Sequence, residues 1–220
     1  MRRADMIGSF LQAFRLLAFC ALLAVLAPGW ALALKPLEVT SGQASSIQKI
    51  TNYLNGLKNL QGDFTQISPK GNVSRGIFFI SKPGKMRFEY APPNPFLIVA
   101  DGTWLTIKNR AKEKGDQFPL SETPLRLVLG NKVDLLKDTN VLGFEESNGL
   151  TSLTLEDKEG ILGGQLILVF DQNQKALQQW VIIDSKGRRT TVSLENIVTG
   201  VKPDPKLFVV KINRKEKDNK

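Results

Sequence analysis

The sequence predicts a mainly β, α+β domain: one strongly curved antiparallel sheet of about eleven strands, with helices near residues 43–60 and 124–136. Three observations predict it. Short runs rich in β-branched and aromatic residues recur from residue 63 onward, punctuated by Pro-Gly, Asp-Gly and Pro-Pro-Asn-Pro. Only two stretches carry apolar residues at helical spacing. Consecutive strands joined by short turns favour an antiparallel meander, and a sheet of that many strands curls, splits or closes. The helices need an apolar surface to cover, and the concave face of the sheet is the only large one available.

The N-terminus comes first. Arg2, Arg3 and Arg15 precede the uncharged run "LLAFCALLAVLAPGWALA", which ends in Ala31-Leu32-Ala33. A basic segment, an apolar segment and an A-x-A site describe a secretory signal peptide over residues 1–33. Leu16 to Leu26 is short for a membrane span, and Pro28-Gly29 follows it. Cleavage after Ala33 removes Arg2, Arg3, Arg15 and Asp5, taking the net charge from +9 to +7. It also removes Cys20, the single cysteine, so the mature domain 34–220 has no disulfide and its core must supply the stability. A competing reading takes "LAFC" as a lipoprotein box acylated at Cys20; Phe19 is bulky where such a box wants a small residue.

Thr40 and Ser41 offer N-caps for the first helix, expected to run to about Leu60. Ile47, Ile50, Leu54 and Leu57 (with Leu60 as an extension) form its apolar stripe; Gln48, Lys49, Asn52, Asn55 and Lys58 form the other face. Strands follow at "DFTQIS", "GIFFIS", "KMRFEY", "FLIVA" and "TWLTIK". "SETPLRLVLGNKVDLL" interrupts them: Pro124 suits a first helical turn, Leu125, Leu127, Val128 and Leu129 give an apolar side, and Asp134 to Leu136 a second short turn. Strands resume at "VLGFEES", "LTSLTLED", "QLILVFD", "ALQQWVIID", "RRTTVSLENI" and "LFVVKI", and the charged stretch 211–220 reads as a flexible tail.

At period two, Met86, Phe88 and Tyr90 share one strand face, while Lys85, Arg87 and Glu89 share the other, expected to meet water. Nucleic-acid binders of the stacking type need cations and aromatics converging on one groove, and this strand separates them. Leu105 and Ile107 likewise face away from Thr106 and Lys108. "GIFFIS" is apolar on both faces, and Phe78 and Ile80 are assigned inward. These residues suit either a filled core or the wall of a hollow, and few helices are available to plug so large a sheet.

The absence of histidine excludes Ser-His-Asp and Cys-His catalysis and histidine metal sites. The carboxylates are scattered, Glu145-Glu146 reads as a strand edge, and "ILGGQ" leads into a strand rather than a phosphate-binding helix. No enzyme activity, cofactor, metal or nucleic-acid partner is expected.

The ordered series "LQGDFTQ", "GIFFISKPGKMRFEY", "FLIVADGTWLTI", "FPLSETPL", "GQLILVFD" and "ALQQWVIIDSKGRRTTVSLENI" resembles the periplasmic outer-membrane lipoprotein carrier family LolA, across nearly all of residues 43–210. The resemblance implies an incomplete antiparallel β-barrel of about eleven strands, with helices lidding a hydrophobic cavity. It implies a monomeric periplasmic carrier that shields lipoprotein acyl chains, loaded by an inner-membrane ABC transporter and unloaded at the outer membrane, in many species to a receptor lipoprotein. On that basis Phe78, Ile80, Met86, Phe88, Tyr90, Leu105 and Ile107 are the expected lipid-binding wall, and Ile47, Ile50, Leu54 and Leu57 the lid helix. The family commonly places arginine immediately before Pro-Gly, where it latches the lid; here that position is Lys82, which keeps the charge but loses the guanidinium fork. Two alternatives stand beside the carrier: another exported lipid-binding protein of this fold, including a receptor-type lipoprotein anchored at Cys20, and a carboxylate-dependent envelope hydrolase.

Overall fold

The structure, a computed structural model, describes residues 35–112, 115–158, 164–173 and 175–211 of the 220. The expected signal peptide 1–33 and all but the first residue of the expected tail 211–220 lie outside the described residues.

Thr40 starts helix α1 (Ser41–Gly56) with a capping box: its Oγ1 accepts from the Gln43 amide at 3.3 Å, and its own amide donates to Gln43 Oε1 at 2.9 Å. The helix stops at Gly56, four residues before the expected end. Leu57 is already extended, and strand β1 (Asn59–Ile67) claims Leu60, which pairs with Ile80 and Thr199 on its two sides. Ladder pairing on both sides therefore overrides the helical spacing of Leu60.

The remaining strands are β2 (Val73–Ser81), β3 (Lys85–Tyr90), β4 (Phe96–Asp101), β5 (Trp104–Asn109), β6 (Gly115–Pro119), β7 (Thr139–Ser147), β8 (Leu150–Asp157), β9 (Gln165–Asp171), β10 (Ala176–Ile183) and β11 (Arg189–Thr199). They form one antiparallel sheet ordered β6-β5-β4-β3-β2-β1-β11-β10-β9-β8-β7. The chain thus builds one wing outward from β1 to β6, crosses, and builds the other wing inward from β7 to β11. The crossover holds a 3-10 turn (Leu120–Glu122) and two short helices, α2 (Arg126–Leu129) and α3 (Leu135–Asp138). Gly130 and an irregular stretch to Asp134, which caps α3, separate the two short helical segments, as the sequence predicts with its second short turn at Asp134 to Leu136.

The total of eleven strands matches the expectation through two compensating differences. "GDQFP", which is not among the predicted strands, forms β6; it is a five-residue edge strand paired only with β5 among the described residues. The described part of "LFVVKI", residues 207–211, is not a strand. Asp204 accepts from the Lys206 amide at 2.9 Å and starts a 3-10 turn (Pro205–Phe208), and the apolar side chains here pack on the sheet instead of joining it.

The sheet curls back on itself. Phe88 in β3 and Trp180 in β10 have ring centroids 5.7 Å apart, yet four inter-strand steps separate them, about 19 Å in a flat sheet. The inner face and α1 form one core, and a second, smaller cluster of Leu97, Val99 and Phe208 lies on the outer face. This explains why "FLIVA" is apolar throughout: Ile98 and Ala100 face inward, Leu97 and Val99 outward beneath the C-terminal segment. The same segment covers Arg87, which the sequence places in water. Its side chain is 16% exposed, and the guanidinium pairs with Glu89 at 2.9 Å and donates to the Leu207 carbonyl at 3.1 Å.

Candidate functional site

Residues directly opposite in antiparallel strands share a face, so the register draws rows across the interior. One row runs Leu60, Ile80, Met86, Ala100, Leu105, Phe118, and the next Gly62, Phe78, Phe88, Ile98, Ile107, Asp116. Phe78, Ile80, Met86, Phe88, Tyr90 and Leu105 are buried, whereas Ile107 is half-buried toward the β6 edge and Phe118 is 46% exposed at the rim. Four further aromatic contacts knit the centre. Phe64 meets Phe88 at 4.6 Å and Tyr90 at 5.0 Å, Phe78 stacks on Phe88 at 5.6 Å, and Tyr53 of α1 meets Phe170 edge-on at 5.0 Å. Gly76 leaves room for this cluster: a Cβ there would meet the Phe64 ring at 2.7 Å and also collide with the Glu89 carbonyl.

Tyr90 puts a polar tip among these rings. Its hydroxyl donates to Gln66 Oε1 at 2.6 Å, and burial pushes its pKa up to about 12, the Gln66 contact offsetting part of the rise. Burial also raises the Tyr53 pKa.

Helix α1 closes the interior with Ile47, Ile50 and Leu54, all buried, and Leu57 packs half-buried just beyond its end. Polar contacts gather at its C-terminal end. The Lys82 Nζ donates to the Leu54 carbonyl at 2.6 Å, in the free-carbonyl region of a helix terminus where a cation is favoured. Burial, and secondarily the Lys58 charge, lowers the Lys82 pKa to about 8. Asn55, which the helical spacing puts on the solvated face, instead clasps the crossover: its Nδ2 donates to the Val133 carbonyl and its Oδ1 accepts from the Val133 amide, both at 2.8 Å. The Gly84 amide donates to the Leu129 carbonyl at 2.8 Å, tying the β2–β3 turn to α2. On the opposite wing Arg126 of α2 pairs with Asp157 of β8, and Lys158 Nζ donates to the carbonyls of Leu136 and Lys137 at 3.0 and 2.8 Å.

Two clefts flank α1 on the β7–β11 wing. One, of about 650 Å³, is lined by Lys49, Ile50, Tyr53, Glu146, Thr151 and Phe170 among others; the second, of about 950 Å³, shares Tyr53 and Lys175 with it. The seven wall residues read from the sequence line neither: Phe78, Ile80, Met86, Phe88, Tyr90 and Leu105 belong to the packed core, and Ile107 lies half-buried outside it. Reading the sequence missed Tyr53, Phe64, Asn55, Trp180 and the Arg126–Asp157 pair. A signal for Asp157 exists, because it continues the buried alternation of Leu153 and Leu155.

An open, curled antiparallel sheet whose concave face is covered by an amphipathic helix and the short crossover helices defines the class: a lidded, incomplete β-barrel. The chain belongs to the LolA family, whose family model, described as outer membrane lipoprotein carrier protein LolA, matches residues 55–211. It is 30% identical over 155 residues to an outer-membrane lipoprotein carrier protein of Cupriavidus pinatubonensis, covering 65% of this chain and 68% of that one. To the protein so named in Alkalilimnicola ehrlichii it is 28% identical over 200 residues, covering 87% and 89%. Among solved structures, a LolA superfamily protein from Nitrosomonas europaea is similar at 12% identity and a TM-score of 0.43, over 76% of this chain and 97% of that one.

Proposed function

We propose that this chain is a periplasmic carrier that shelters the acyl chains of lipoproteins between α1 and the curled sheet. The observation that carries the reading is the continuous apolar interior closed by α1 and the crossover helices, with open space beside α1. Phe78, Ile80, Met86, Phe88, Tyr90, Leu105 and Ile107 become acyl-facing wall when Ile47, Ile50, Leu54 and Leu57 withdraw. The energies favour exchange in both directions. A sixteen-carbon chain gains about 12 kcal/mol gross on burial, at about 0.8 kcal/mol per CH₂. Returning Ile47, Ile50 and Leu54 to the interior recovers roughly 5–9 kcal/mol, at about 1.5–3 kcal/mol per side chain. Cargo therefore displaces the lid, and the lid offsets much of the cost of letting the cargo go.

Lys82 serves as the latch, donating to the Leu54 carbonyl at the end of the lid helix. Lysine makes a single directed contact where an arginine fork makes several, so this latch is light. Loading by an inner-membrane ABC transporter, delivery at the outer membrane to a receptor or directly, export by residues 1–33 and a monomeric, non-catalytic carrier complete the reading. The names of the relatives support it.

The test is a transfer assay. The purified protein is mixed with vesicles holding a synthetic triacylated lipopeptide, and the vesicles are then pelleted. A carrier keeps the lipopeptide soluble in about one-to-one complex and leaves the unacylated peptide unbound. Lipopeptide that stays entirely with the vesicles overturns the reading, and equal uptake of ordinary phospholipid moves it to a general lipid-binding protein.

A further inference from the structure

The crossover and α1 are held by different physics. Asp157 sits at the end of β8 with its side chain 1% exposed, opposite Thr139 of the edge strand β7. Arg126, 28% exposed, supplies its counter-charge, and among the described residues Asp157 Oδ2 has no hydrogen-bond partner. Lifting α2 from this wing would leave an enclosed carboxylate without compensation, which is the costly way to break an ion pair. Lys158 adds two bonds to α3 carbonyls, and Gly84 holds Leu129 on the other wing. The polar ties of α1 at its C-terminal end are lighter. The Asn55 amide is only part-buried and can exchange its partners for water, and the Lys82 ammonium is already disfavoured where it lies.

We propose that Arg126 and Asp157 are positioning residues that clamp the crossover, residues 120–138, as a fixed shelf, so that α1 alone swings when the interior opens. The crossover runs from β6 to β7, the two edges of the sheet, so a fixed shelf keeps the two rims of the open barrel at constant spacing while the helix moves. The proposal rests on the carrier reading for the event that opens α1, but the clamp itself exists without cargo.

The experiment is hydrogen exchange on the full protein, with and without the synthetic triacylated lipopeptide. In the wild type, lipopeptide raises exchange of amides 45–56 about tenfold or more, while amides 126–138 stay within about twofold. Arg126→Gln raises exchange at 126–138 about tenfold even without lipopeptide, and Arg126→Lys, which keeps the charge, restores most of the protection. Should Arg126→Gln fail to fold, Arg126→Lys is read directly and gives a smaller rise confined to 126–138. Equal opening of α1 and the crossover on binding overturns the proposal, as does wild-type exchange at 126–138 in the foldable variants. If the lipopeptide does not bind, the carrier reading fails and the ligand-free comparison decides the shelf: α1 must open about tenfold more often than 126–138, and equal opening refutes it.

Discussion

Leu54→Ala should weaken the fold and tighten lipid binding in the same protein. Leu54 is fully buried on the inner face of α1, and truncating a leucine in such a place costs about 2–5 kcal/mol. In the opened state residue 54 lies in water, and the lost methyl groups cost almost nothing there. The closed-to-open equilibrium therefore shifts by nearly the whole amount. A shift of about 3 kcal/mol corresponds to roughly 150-fold more open protein. Where the closed lid limits binding, apparent affinity rises by the same factor, because affinity is reduced by the fraction of protein that is competent. Urea unfolding reads the stability loss, exchange of amides 45–56 reads the opening, and titration with a fluorescent acyl probe reads the affinity. A variant that loses stability while affinity and helix exchange stay as in the wild type would refute the lid argument, since α1 would then be ordinary core.

Lys82 gives a signed pH dependence. Its folded pKa near 8 lies below its ordinary value of 10.5, so between these pH values the unfolded chain binds the extra proton and stability rises with pH. The span is worth about 3.4 kcal/mol at most, discounted to about 1–2 because the side chain is partly open to solvent. Urea midpoints at pH 7 and 9.5 should show the rise, and Lys82→Met should abolish it. Lys82→Arg should tighten the closed state, measured as stronger protection of α1 and weaker acyl-probe binding; no change in either removes Lys82 from the latch role. Gly76→Ala should cost about 2–4 kcal/mol in urea unfolding, because the added methyl collides with Phe64 and the Glu89 carbonyl. Phe208→Ala should cost about 3–5 kcal/mol through the outer cluster while leaving acyl-probe affinity per folded molecule unchanged; reduced affinity would mean the outer face couples to the interior.

Local patterns were legible in the sequence wherever one face of an element meets the core. Met86, Phe88 and Tyr90 alternate with Lys85, Arg87 and Glu89, and the register sets the first three inside. The N-cap, offered by Thr40 or Ser41 and taken by Thr40, and the stripe of Ile47, Ile50 and Leu54 were equally readable. What failed were properties that depend on distant chain. Arg87 looked solvated because nothing near it announces that residues 205–210 fold over it. "LFVVKI" has strong β-propensity, but apolar packing on a sheet face satisfies those side chains as well as a ladder does. Asn55 looked like surface because its partner Val133 lies 78 positions away. Phe78, Ile80, Met86, Phe88, Tyr90 and Leu105 are buried in the core, yet whether an interior is hollow or stoppered depends on where α1 and the crossover lie, and they fill it here.

Native mass spectrometry of the protein purified from the cells that make it tests the carrier account most directly. The account predicts a mature chain beginning at Leu34 with one triacylated lipoprotein bound, and loss of that species when Phe88 is replaced by a charged residue. A mature chain with an acylated Cys20, or a protein that carries only free phospholipid, would contradict it.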